Sequence, residues 1–112
     1  MTKIHYWDKR DCQELLVNGH AGTAEGGNVV CAGISAITLT LHENLRREEE
    51  KGQIKAWSTT EKGHMFLHAE TTDENRAAIR NMFKFAMVGL RMIAEEYPDK
   101  VKIKEEKRNG GI

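Results

Sequence analysis

A histidine and a cysteine eleven residues apart, His20 and Cys31, hold the chain's clearest capacity for chemistry. Between them runs a glycine-rich stretch, Ala21-Gly22-Thr23-Ala24-Glu25-Gly26-Gly27, followed by Asn28-Val29-Val30. His20 closes a strand-like segment and Cys31 opens a helical one. Asn28 is the expected N-cap, which places Cys31 in the first helical turn. A thiol there meets the positive end of the helix dipole and backbone N–H groups without helical acceptors, and both suit a thiolate. The loop can fold back to bring imidazole to sulfur. A Cys–His pair at a helix start is the minimum for nucleophilic catalysis. The plain alternative is a cysteine that packs as a small core residue. The pattern disfavours a phosphate cradle: the glycines match neither G-x-G-x-x-G nor a P-loop, and no Lys-Ser/Thr follows.

Other polar residues offer less. Cys31, Ser35, Thr38 and His42 form a stripe at steps of four, three and four, so Ser35 sits one turn below Cys31. It can bond the carbonyl one turn back, or hold the loop or a substrate backbone. His64 and His68 share a strand face, but no third and fourth metal ligand is apparent, so they read as a surface pair. Cys12 reads as a bystander thiol. With no CxxC spacing, the two cysteines read as free thiols, and no metal or other cofactor is expected.

Hydrophobic period sets the elements around these residues. Residues 3–7 and 13–20 read as two strands. Val30, Ile34, Ile37, Leu41 and Leu45 mark one face of a helix that ends near Lys51, with Gly52 as its stop. Residues 53–60 and 64–70 form a hairpin around Glu61-Lys62-Gly63. Thr71 to Glu74 has the spacing of a capping box, and a second helix follows to about Glu96. Its core stripe is Ile79, Met82, Phe83, Ala86, Leu90 and Ile93. Residues 100–105 are a last strand. The order β-β-α-β-β-α-β predicts an α+β fold, two helices packed on one mixed or antiparallel sheet. Phe85, Val88 and Met92 add a second apolar face to the second helix. It is either a wide core face or the surface of a two-fold homodimer.

Composition bounds the classes of function. With 112 residues, the chain fits a single domain over 1–112. Seventeen Lys plus Arg balance seventeen Asp plus Glu, so no direct nucleic-acid binding is expected. The longest apolar run, residues 29–41, is too short and too polar to span a bilayer. The first eight residues lack an apolar signal region. A cytoplasmic protein with no membrane contact is expected.

Gly19-His20-Ala21, with Val29-Val30-Cys31-Ala32-Gly33-Ile34-Ser35, resembles the ribosomal-processing cysteine protease family, Prp. That family keeps a Gly-His-Ala motif, a glycine-containing loop, and a Val-Cys-Ala motif with Ser four residues after the Cys. Length and element order resemble it over essentially the whole chain. The resemblance implies His20 as general base and Cys31 as nucleophile, with Gly19 and Ser35 on other positions the family keeps. Asn28 stands where the family usually has Asp. It can orient an imidazole but adds no charge to stabilise an imidazolium. The implied activity is removal of a short N-terminal extension from a large-subunit ribosomal protein, so the partner is that precursor. The extension ends in an apolar, aromatic-rich sequence, and Trp57, Met65, Phe66 and the loop itself are candidate cleft residues. The loop, residues 21–27, is expected to gate the site. The rival from another class is a non-catalytic, ribosome-associated or regulatory binding module in which Cys31 is structural.

Overall fold

A computed structural model describes residues 1–21 and 26–107. Five strands and two helices follow the expected order: β1 (Thr2–Asp8), β2 (Cys12–Asn18), α1 (Gly27–Glu50), β3 (Lys55–Glu61), β4 (His64–Glu70), α2 (Arg76–Glu96) and β5 (Val101–Lys107). The α+β reading is borne out, and the sheet is mixed. Its order is β3-β4-β2-β1-β5, antiparallel except where β5 joins β1 in parallel.

Alternation along the strands shows why the layers form. Ile4 and Tyr6 on β1, Leu15 and Val17 on β2, Leu67 and Ala69 on β4, and Val101 on β5 are buried on one face. Val30, Ile34, Leu41 and Leu45 of α1 and Ile79, Phe83, Ala86, Met87 and Leu90 of α2 cover them. The helices approach closely at Gly89, where a Cβ would stand 2.8 Å from Ile37 Cδ1. Ile37 is only partly buried, while Thr38 is buried and donates its hydroxyl to the Ile34 carbonyl at 2.8 Å. That bond lets a polar side chain take a core position.

Both expected helix caps move. The residue before α1 is Gly26, at φ +86, with no side-chain cap, and Asn28 is exposed in the first turn. A glycine enters there because the backbone is left-handed. At α2 the reciprocal pair is Thr72 with Asn75, one residue along from Thr71 and Glu74. The Asn75 N–H donates to Thr72 Oγ1 at 3.4 Å, and the Thr72 N–H to Asn75 Oδ1 at 2.7 Å. Thr71 is drawn instead to the β1–β2 turn, its N–H on the Asp11 carbonyl.

A polar network is buried under α2. Gln13 Nε2 donates to Asp8 Oδ1 at 2.7 Å, and the Tyr6 hydroxyl donates to Gln13 Oε1. Arg80 Nε reaches Asp8 Oδ1 at 3.0 Å, and Lys84 Nζ lies 3.2 Å from Oδ2. Burial pushes the Asp8 carboxyl up. The hydrogen bonds from Gln13 and Lys84 and the charges of Arg80 and Lys84 outweigh that and hold it below the usual carboxylate range.

Candidate active site

Strand order decides where the histidine goes. Asn18, the last residue of β2, pairs with His64, the first of β4. The β3–β4 turn therefore sits beside the chain as it leaves β2. Gly19 N–H donates to the Gly63 carbonyl at 2.8 Å and extends the ladder by one bond. Gly19 has φ +93, and a side chain there would strike the Met1 carbonyl oxygen. Both demands select glycine before the histidine.

His20 then lies on the turn. A Cβ on Gly63 would stand 2.5 Å from His20 Nε2, 3.0 Å from Cε1 and 3.1 Å from Cδ2. Gly63 itself has φ +76. The bare backbone of a tight hairpin turn is thus the surface against which the imidazole rests. The sequence alone marks Gly63 only as a turn residue. Its contact with His20 follows from β4 pairing with β2, which no local signal announces.

Cys31 comes to the same cleft from the other side. The helical ladder opens with Val30 N–H on the Gly26 carbonyl at 3.0 Å, so Cys31 is the fifth residue of α1. It begins the second turn and not the first. The cause is the earlier helix start at Gly27. The Cys31 side chain is half-buried, and its Sγ accepts the Ala21 N–H at 3.4 Å. The residue after the histidine therefore touches the cysteine, and both His20 and Cys31 line one cleft.

The cleft encloses about 410 Å³. Gly19, His20, Cys31 and Ser35 line it with apolar Val17, Ile34, Leu39 and Met65 and with Thr38. Ser35 is exposed, and among the described residues its hydroxyl makes no bond to the carbonyl one turn back. The hydroxyls of Thr38 and Thr40 do make that bond. Asn28 is absent from the cleft lining.

Of the candidate cleft residues Trp57, Met65 and Phe66, only Met65 lines the cleft. Trp57 and Phe66 project from the other face of the sheet, because a strand sends alternate residues to opposite sides. Residues 22–25 of the proposed gate lie outside the described residues. His64 borders the cleft at the turn end of β4, but its ring lies on the far face, Nδ1 3.4 Å from Asn18 Oδ1, and His68 bonds Glu14 further along that face. The two histidines share a face but not a site. Among the described residues, no three metal-ligating side chains converge in the cleft.

A thiol, an imidazole and the N-terminal end of a helix on one cleft are groups that acyl transfer can use. A family model described as cysteine protease Prp matches residues 1–102. No curated protein matches the chain. Among solved structures, the chain is similar to SMU.848 from Streptococcus mutans, at 18% identity and TM-score 0.72, covering 96% of this chain and 99% of that one. It is also similar to an essential ribosomal processing protease Prp from S. aureus in complex with a substrate peptide. That match has 19% identity and TM-score 0.72 and covers 95% and 100% of the two chains. The same S. aureus protease with a covalently linked product peptide matches at 21% identity and TM-score 0.71, with the same coverage.

Proposed function

The chain belongs to the Prp family of cysteine proteases, and from that premise we propose that it is an endopeptidase with Cys31 as nucleophile and His20 as its acid–base partner. The single observation that carries the assignment is the convergence of the Gly19-His20-Ala21 segment and Cys31 on one cleft, with the Ala21 N–H on Sγ at 3.4 Å. The Cys31 thiolate attacks the scissile carbonyl and forms a tetrahedral intermediate. The C–N bond then breaks as the His20 imidazolium protonates the leaving amine, which leaves a thioester on Sγ. His20, now neutral, takes a proton from water as it attacks the thioester, and the acid product leaves. Backbone N–H groups near the start of α1 hold the oxyanion, each worth about 2.7–4 kcal/mol in the transition state. Gly19 and Ser35 support the site, and Asn28 acts at the helix start.

The substrate is the N-terminal extension of a large-subunit ribosomal protein, cut in the cytoplasm. One S. aureus relative bears a covalently linked product peptide, which supports this reading. Val17, Ile34, Leu39 and Met65 give the cleft apolar walls for such a sequence. The enzyme acts as a homodimer through α2, where Phe85, Val88 and Met92 are 84%, 51% and 65% exposed on one face. No described helix is long and apolar enough to cross a membrane.

The test is to incubate the protein with the host's extended ribosomal protein and look for the shortened product by mass spectrometry. Cleavage by the native protein, lost in Cys31→Ala with binding retained, is the expected result. Binding without cleavage by the native protein would make it a binding module. Sedimentation of the native protein and Phe85→Asp tests the dimer, and an unchanged mass would exclude this face.

A further inference from the structure

The sheet face opposite the cleft carries a second cluster. Glu14 on β2 pairs directly with His68 on β4, and Cys12 lies two residues before Glu14 on the same face. The three donor atoms all lie within 4.8 Å of one another. All three side chains are half-buried. We propose that Cys12, Glu14 and His68 form a binding site for one divalent cation of the zinc type.

The donor set argues for that ion. A thiolate, an imidazole and a carboxylate suit a borderline-soft metal, whereas magnesium and calcium take oxygen donors. A tetrahedral ion with bonds of about 2.0–2.3 Å spaces its donors roughly 3.3–3.7 Å apart, so only small side-chain rotations are needed. Without metal, His68 Nδ1 and Glu14 Oε2 are 2.8 Å apart. The cation takes the place of the proton between them. Water or Glu70, the β4 partner of Cys12, completes the fourth position.

The surroundings fit as well. Lys9 Nζ bonds the other carboxylate oxygen, Glu14 Oε1, at 2.5 Å, and an outer partner of this kind orients a ligating carboxylate. The Trp57 ring stands edge-on to His68, centroids 4.6 Å apart, and limits its swing. The three ligands sit on two hydrogen-bonded strands, so the ion fastens β2 to β4. The competing account is a plain Lys9–Glu14–His68 ion-pair network that binds no metal.

Cobalt titration of the reduced full-length protein decides between them. One Co²⁺ per chain should produce a thiolate-to-metal band in the near ultraviolet, displaced by Zn²⁺. The band should persist in Cys31→Ser and vanish in Cys12→Ser. Glu14→Gln and His68→Phe should each weaken binding by at least about tenfold. Zn²⁺ should raise the Tm of the native protein and of Cys31→Ser, but not of Cys12→Ser. No band, a band that survives Cys12→Ser, or a band lost in Cys31→Ser would overturn the site.

Discussion

Gly63→Ala separates the seat of the imidazole from the stability of the fold. The substitution has two effects. First, φ is +76 there, and an L side chain in that conformation costs about 1–2 kcal/mol. Second, the new Cβ would lie 2.5 Å from His20 Nε2, where ordinary contact begins at 3.4 Å, so the ring must retreat by about 0.9 Å. The obstacle is the end of a side chain, so the ring yields and the second effect adds little to the loss of stability. It displaces the proposed acid–base group, and a misplacement of about 1 Å can cost roughly 100-fold in rate. Gly52→Ala is the matched control: φ is +74, and nothing lies within 4 Å of the new Cβ.

Thermal melts and peptide cleavage kinetics read the two effects apart. Both variants should lose about 1–2 kcal/mol, seen as a Tm lower by roughly 4–10 °C. If the ring acts on the chemical step as proposed, only Gly63→Ala should lose kcat, by roughly 100-fold, with KM little changed. Gly52→Ala should cleave at the native rate below its melting range. Native turnover in Gly63→Ala with the expected stability loss would refute the argument, as would an equal loss of turnover in Gly52→Ala.

Iodoacetamide at neutral pH should modify Cys31 before Cys12, whose thiol is held up by burial and by Glu14, and His20→Ala should narrow the gap. Equal labelling rates in the native protein would contradict an activated Cys31. Asn28→Asp puts an acid into a first turn of α1 that has none, and should add about 0.3–1 kcal/mol of stability with activity equal or higher. A collapse of cleavage with a raised Tm would show that the amide itself serves the reaction. Asp8→Asn should cost about 1–3 kcal/mol, less than a fully buried pair because Arg80 and Lys84 keep access to water. The lowered Asp8 carboxyl stabilises the fold fully above the unfolded carboxylate pKa of about 4, and this is lost as pH falls through the folded value. The gap between denaturant melts of native and Asp8→Asn protein should therefore be full above about pH 4 and close as pH falls from there through the lower folded value, and a constant gap would exclude that ion pair as the cause.

Local periodicity carried most of the elements. The stripe Val30, Ile34, Leu41 and Leu45 became the buried face of α1, and residues 64–70 became β4 with the bounds the alternation implied. The errors lie where two local solutions compete. Asn28 is a good cap by residue type, but the left-handed Gly26 lets the helix start two residues earlier. Thr71 and Glu74 have capping-box spacing, but Thr72 and Asn75 have it too, and the β1–β2 turn claims Thr71. Residue preference cannot rank such neighbours, because the deciding partner comes from another element.

The site shows the same division more sharply. His20 and Cys31 stand out as the candidate pair because histidine, loop glycines and cysteine follow one another within one continuous segment. What surrounds them is set by pairing between strands far apart in sequence. A hairpin over residues 53–70 is visible from its alternation, but nothing local says that β4 will dock against β2. Once it does, the rest is forced. Asn18 faces His64, so the chain two residues past Asn18 must pass the turn that precedes His64. At that turn Gly63 leaves room for a ring, whereas any side chain would push the ring back. The same pairing sets Glu14 opposite His68 and Cys12 opposite Glu70 on the far face. A single strand contact, β2 to β4, therefore builds both the seat of the imidazole and the proposed cation site.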